Sequence, residues 1–571
     1  MKRKSMMLVL TLLLVFTTFV SACSSNTGNS SSPNPDTTKD SPSTTDSGDK
    51  KNEPSKGSDK EQVLRFNLHS DPPSLDPGLS QDTVSSSILN AMYEGLVRVD
   101  ENAKPVPGVA EKWEESPDHK KFTFNLRKDA KWSNGDPVTA HDFVFAWERV
   151  LNPKTEPAPP YAYQLYYFKN AEAYNKEKIN DFSQVGVKAL DEHTLEIELE
   201  APTSYFLSLL SFTTYYPVHK SAKDNPKWAA EANTMISNGP FKISEWKHQN
   251  LLELAKNEHY YAADTIKFTK IKATMVQDSA SELNMYEAGD IDFAGHPTGE
   301  LPTDQIPVLK ETKPDELNIK GIASSYYYLF NNKQAPFNNA NIRKALSMAV
   351  DRKLITDKVA LGGEQPAFGI VPPGITGNAD QYRNEVKDEY FKEDVNEAKA
   401  LLAKGLSELG LKEMPEFTLG YNTNDKHKKI AQAVADMWSK NLNVKVKIEN
   451  QEWGVYLKSR TSLNYQVARA GWTTDYNDPM SFIDLYMTGS GNNDIGYSNP
   501  EFDDLVKKAK TSVDQKERMD LMAKAEKILI QDDQAILPLF YYTSVHMLKP
   551  GVKNVFVDYR GMLDFTRGYL E

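Results

Sequence analysis

The densest chemical run in the chain is Arg469-Ala470-Gly471-Trp472-Thr473-Thr474-Asp475-Tyr476-Asn477-Asp478-Pro479. It sets an arginine, a tryptophan and two carboxylates among small residues. Its spacing predicts a strand running into a turn, with Asp478-Pro479 as the turn. On an extended strand Arg469 and Asp475 would lie roughly 20 Å apart, at about 3.3 Å per residue, and would not pair with each other. From this run alone, Trp472 reads first as core, with a functional group as the alternative. Signatures of bond-making chemistry are absent: the sequence has no HExxH, GxSxG, Walker A or CxxC motif, and its ten histidines show no metal-ligand spacing. Neither an enzyme nor a cofactor or metal is expected.

The one cysteine, Cys23, is the other residue with reactive potential. It follows Lys2-Arg3-Lys4, an apolar stretch from Met6 to Val20, and Ser21-Ala22. A basic start, an apolar segment and a small-residue exit predict an export signal over 1–22. Val20-Ser21-Ala22-Cys23 resembles a bacterial lipobox, which implies cleavage before Cys23 and attachment of a diacylglycerol to its sulfur. The following residues, to about Lys60, are Ser, Thr, Asn, Asp, Lys, Gly and Pro, with nothing to seed a core. Residues 23–60 are therefore expected to be a disordered leash reaching roughly 30–35 Å. With Cys23 lipidated, disulfides and thiolate metal sites are excluded.

The body from about Gln62 to Glu571 is too long for one core. A net charge of −12 argues against a general nucleic-acid binder. Val63–Leu68, Lys121–Leu126 and His193–Leu199 alternate as strands. Thr139 to Leu151 reads as a helix stopped before Pro153, and Pro157 to Phe168 as irregular surface. Helices are predicted over Asn341 to Val359, His427 to Lys440, Glu501 to Ser512 and Gln515 to Gln531, with a strand at Val444–Ile448. Strands mixed with helices throughout predict an α/β body.

The Arg469–Pro479 run closely resembles the oligopeptide-binding proteins of ABC importers. The likeness continues in Ser74-Leu75-Asp76-Pro77, Tyr93-Glu94-Gly95-Leu96, Lys131-Trp132-Ser133-Asn134-Gly135-Asp136, Asn238-Gly239-Pro240-Phe241, Ala335-Pro336-Phe337-Asn338 and Glu449-Asn450-Gln451-Glu452-Trp453. The resemblance implies a two-lobed periplasmic-binding-protein-like fold of type II, with an extra domain, closing by hinge motion. It divides the body into lobe I (61–93, 222–323 and 542–571), the extra domain (94–221) and lobe II (324–541). None of these crossings follows from periodicity.

The same resemblance implies a short peptide held extended between the lobes. Asp475 matches the acid that pairs with the peptide ammonium. Gly471, Trp472 and Thr473 match the segment beside the peptide backbone, and Gln81, Asp82 and Thr83 resemble the opposing edge. Tyr161, Tyr327 and Trp453 match aromatics near the ligand, each of which could equally be core. Arg469, Arg460 and His427 match residues meeting the carboxylate end of longer peptides, with surface charge as the alternative. Leu329, Gln81 and Ala360 depart from a well-studied enteric member, which carries acids at the first two positions and a lysine at the third. The implied protein is a monomeric, lipid-anchored receptor on the outer face of the cell membrane, in the Gram-positive manner. It hands peptides to an ABC permease and its ATPase subunits. A peptide-pheromone receptor and a binder of nickel, haem or sugar are the alternatives on the same fold.

Overall fold

The computed structural model describes residues 61–571 apart from 101–103 and 204. Residues 1–22, expected to be an export signal, Cys23 and the expected leash over 23–60 lie outside the described residues.

The largest element is a mixed sheet of eleven strands. One flank carries strands Val446–Gln451, Phe417–Asn422 and Val467–Thr473. The other carries Phe293–Gly295, Val63–Asn67, Lys270–Thr274, Leu251–Lys256 and Phe241–Lys247. Two long strands, Leu317–Phe330 and Ile536–Leu548, pair antiparallel in the middle and join the flanks, and the short eleventh strand Gln365–Pro366 pairs with the second of them. Their register shifts between Gly321 and Ser325 and again between Tyr326 and Tyr327. Parallel pairs occur on both flanks: Val63–Asn67 with Lys270–Thr274, and Phe417–Asn422 with Val446–Gln451.

A separate antiparallel sheet of four strands is built from Ala110–Glu115, Lys121–Leu126, Thr194–Glu198 and Val187–Asp191. In Lys121–Leu126 the residues Phe122, Phe124 and Leu126 are buried and their neighbours are not, as period-two alternation requires. The adjoining helix Ala140–Leu151 starts with a Thr139–Asp142 capping box and buries Phe143, Ala146, Trp147, Val150 and Leu151 on one face.

Two expectations need correction. Pro157 to Phe168 is not irregular surface. Residues Ala162–Tyr167 form a 3-10 helix, and Tyr161, Tyr163, Leu165 and Phe168 are buried. Their side chains supply apolar area that outweighs the irregular backbone, and the Gln164 carbonyl is satisfied by the Tyr215 hydroxyl. Asn341 to Val359 is not one helix. It breaks after Ala340–Met348 and restarts at Arg352–Ile355, because Asp351 caps the second start through the Leu354 N–H at 2.8 Å. Buried Arg352 donates to the Ser347, Val350, Ala367 and Pro538 carbonyls, fixing the break. The strand expected at Val444–Ile448 begins two residues later, at Val446.

Candidate functional site

A cavity of about 200 Å³ opens between the two flanks. All the candidate ligand residues except Tyr327 line it. Strand Val467–Thr473 forms one wall. It stays paired with Leu317–Phe330 as far as Thr473 but with Phe417–Asn422 only at Val467 and Ala468. From Arg469 to Thr473 that second edge has no strand partner among the described residues. A Cβ on Gly471 would come within 3.1 Å of the Tyr542 hydroxyl and 3.2 Å of an Arg469 nitrogen, so glycine keeps this wall clear.

Asp475 lies two residues past the strand end, in a loop fixed by its backbone N–H donating to Ser481 Oγ at 2.9 Å. Its carboxylate is buried and meets one protein donor, Gln164 Nε2, at 3.5 Å. Burial pushes this carboxyl well above its ordinary range; the nearby charge of Asp484 adds to the effect and Arg560 opposes it. Asp478, its local rival, is committed elsewhere. It holds Arg518 through both oxygens at 3.1 Å and accepts the Met480 N–H at 2.9 Å.

Arg469 is buried at the other end of the wall. Its guanidinium donates to the Tyr542 hydroxyl and to Asn422 Oδ1, and lies 4.8 Å from the Tyr326 ring centroid. No acid pairs with it among the described residues, and its Nε has no hydrogen-bond partner. Arg460 differs: its Nη2 is bound to Asp494 at 2.7 Å. His427 sits in the first turn of helix Asp425–Leu442, its ring 5.5 Å from Tyr326. Burial, reinforced by Arg469 and Lys426, pushes it well below the ordinary histidine range, so it is neutral.

The aromatic candidates divide. Tyr161 lies against Trp472 with 6.1 Å between centroids and against Phe212 with 4.7 Å. The Trp472 ring is half-buried and its indole N–H has no partner. Trp453 donates its indole N–H to Asp82 at 3.3 Å, across the cavity. Asp82 also caps helix Thr83–Met92 through Ser85, so its oxygens are largely occupied, while Gln81 and Thr83 flank it on the wall. Tyr327 is buried outside the lining, in a group with Tyr486, Arg460 and Asp494. Leu329 and Ala360 are also buried away from the cavity, which leaves Gln81 as the departure on its wall.

Sequence reasoning missed His69, His296, Glu300, Asn422 and Tyr542, which also line the cavity. It also missed buried Lys426, bound to Glu364 at 2.8 Å and Glu300 at 3.4 Å. Burial works against its charge, but the two carboxylates outweigh burial and raise its pKa. Among the described residues, no group of three or more His, Cys, Asp or Glu could hold a metal, and no helix is long and apolar enough to cross a membrane.

A sheet continued through two long central strands, with a polar cavity between its flanks and a separate small sheet, defines a two-lobed binding protein of type II. The comparisons narrow this class. The model of bacterial extracellular solute-binding proteins, family 5 Middle, matches residues 104–494, and the chain belongs to that family. It is 41% identical to the oligopeptide-binding protein OppA of Bacillus subtilis, over 99% of each chain. It is 40% identical to the dipeptide-binding protein DppE of the same organism, over 88% of this chain and 91% of the relative. Peptide-bound OppA of Listeria monocytogenes superposes with a TM-score of 0.83 at 33% identity, covering 90% of this chain and 99% of that one. Against the unliganded open form of the murein tripeptide binding protein MppA the TM-score is 0.60 at 32% identity, covering 90% and 98%.

Proposed function

We propose that this protein is an extracytoplasmic receptor, anchored through Cys23, that binds short peptides in extended form and delivers them to an ABC-type importer. One observation carries the reading: a single cavity holds a buried acid, Asp475, and a buried cation, Arg469, neither of which makes an ion pair among the described residues. Between them runs a strand edge with no strand partner among the described residues. A peptide supplies the missing ammonium, the missing carboxylate and the missing strand. Buried charges are costly unpaired, so each end gains most from its opposite. Arg469 to Thr473 spans about 13 Å at strand rise, the length of a tetrapeptide.

The relatives are named for oligopeptide and dipeptide binding, which supports this ligand class. The reading divides the body into lobe I (61–93, 222–323, 542–571), an extra domain (94–221) and lobe II (324–541). The hinge lies in the central strands, where the Gly321–Ser325 register shift interrupts the pairing. The higher likeness to a peptide-bound relative than to an open one fits a closed conformation. Native mass spectrometry of residues 61–571, alone and with mixed di- to pentapeptides, tests the reading. A ladder of bound peptides supports it. Retention of one peptide against excess competitors would turn it toward signalling, and no bound peptide after stripping would overturn it.

A further inference from the structure

Two cavity histidines, His69 and His296, have no part in the peptide contacts proposed above. Both stand on the wall assigned to lobe I. His69 follows strand Val63–Asn67 and takes a φ of 60°, a region that costs any residue with a side chain. Its Nε2 meets the Thr423 carbonyl oxygen of the opposite wall at 3.3 Å. In the neutral ring Nε2 therefore carries the proton and Nδ1 the lone pair. The His296 ring lies 6.2 Å from that of Tyr542. In both histidines Nδ1 is shut off from solvent and has no hydrogen-bond partner. An imidazolium donates from both nitrogens. With no acceptor for a proton on Nδ1, the closed cavity favours the neutral ring at both positions.

The surrounding charges do not reverse this. His69 faces Glu300 from its own wall and Asp425 from the opposite one. Both acids favour its protonation, as does the Thr423 carbonyl, but burial outweighs them and holds its pKa below the ordinary value. The Asp425 carboxylate is engaged by Ser279, and Glu300 by Lys426. His296 is pushed down to about 3 by burial, with Lys426, His546 and Arg469 adding to it.

We propose that His69 and His296 form an acid-operated release of the closed cleft: the rings take up protons only when the two walls part, so acidification draws the protein open. The discharge of a peptide by this route rests on the proposed function; the opening itself does not. In the open cleft each ring regains an ordinary pKa near about 6.5. A group whose pKa is lower closed than open supports closure at pH above the open value and withdraws that support as pH falls. For His296 alone, the closed-to-open ratio drops about ten-fold between pH 7.5 and pH 5.5. His69 acts in the same direction, and so does His427 on the opposite wall, whose Nδ1 is likewise buried without a partner and whose pKa is lowered by burial, Arg469, Lys426 and His69. Asp475, raised in the empty cavity, acts in the opposite direction and is left intact in the test.

Lys60–Glu571 is one compact unit, and the sole cysteine of the chain lies outside it. Exposed Lys267 and Lys412 replaced by cysteine therefore accept a donor and acceptor dye, one on each proposed lobe. Single-molecule energy transfer then reads the closed fraction at pH 7.5 and 5.5, with and without tetra-alanine. The closed-to-open ratio is expected to fall on acidification in the parent, and to fall at least ten-fold less in His69→Gln/His296→Gln, which keeps His427 and Asp475 as they are in the parent. The single variants His69→Gln and His296→Asn each remove part of the response and serve if the double variant does not fold. An unchanged ratio in the parent, or an equal fall in the variants, overturns the proposal. Failure of tetra-alanine and mixed peptides to close the protein at pH 7.5 would remove the peptide reading instead, leaving the peptide-free response to decide the release.

Discussion

Asp475 and Asp478 stand three residues apart in one loop and meet opposite fates: Asp478 is held by both oxygens at 3.1 Å on Arg518, while Asp475 lines the cavity with no ion-pair partner among the described residues. Two buried acids in one loop thus have separable roles. Asp475→Asn keeps the shape and removes the charge. Peptide affinity is expected to fall at least a hundred-fold, because an ammonium would be buried without its counter-charge. The peptide-free protein is expected to become more stable. Asp475 has its pKa raised by folding, so keeping it in the fold carries a cost that is absent below about pH 3.8, grows as pH rises toward the raised value and levels off above it. The melting temperature of Asp475→Asn should therefore equal the parent's near pH 3.5 and exceed it at pH 8. Calorimetric scans at the two pH values check the sign.

Asp478→Asn should do the reverse. The Arg518 side chain is only 3% exposed and would lose its counter-ion, a loss of about 3–5 kcal/mol by the usual cost of breaking a buried pair. Urea melts at pH 7.5 measure it. Peptide affinity of the fraction that remains folded should change little.

The loop also marks the limit of what the sequence discloses. Asp475 and Asp478 look alike locally; only Arg518, forty positions on, separates them. Where one face of an element is buried, its period is written in the chain, as in Lys121–Leu126 and Ala140–Leu151. The strand Ile536–Leu548 is buried at twelve consecutive positions from Ile536 to Met547, so it shows no alternation, and its role as a central strand was hidden. Likewise His69 and His296 are isolated histidines in sequence, and only the fold brings them to one wall.

The hydrogen bond from Trp453 to Asp82 joins residues of the two walls proposed as separate lobes. Trp453→Phe keeps a ring against the cavity and removes the donor. A hydrogen bond to a charged group contributes about 1.5–3 kcal/mol, and this one exists only when the walls meet. Peptide dissociation should accelerate about ten-fold or more, with association nearly unchanged, as read by stopped-flow displacement. Because Asp82 retains its bonds from Ser85, the melting temperature without peptide should barely move.

Arg469 and Arg460 provide the sharpest contrast at the carboxylate end. Arg469 has no acid partner among the described residues, whereas Arg460 is already neutralised by Asp494 at 2.7 Å. Arg469→Gln should weaken tetrapeptides at least thirty-fold, and amidating the peptide C-terminus should weaken binding to the parent by a similar factor. In Arg469→Gln amidation should then matter little, since the charge it removes no longer has a counter-charge there. Arg460→Met should instead lower stability by about 3 kcal/mol or more, because it strands buried Asp494. Its sensitivity to amidation should remain that of the parent. Calorimetric titration of free and amidated tetrapeptides against the parent and both variants separates the ligand-facing guanidinium from the structural one; equal loss of amidation sensitivity in both would assign the carboxylate to the pair.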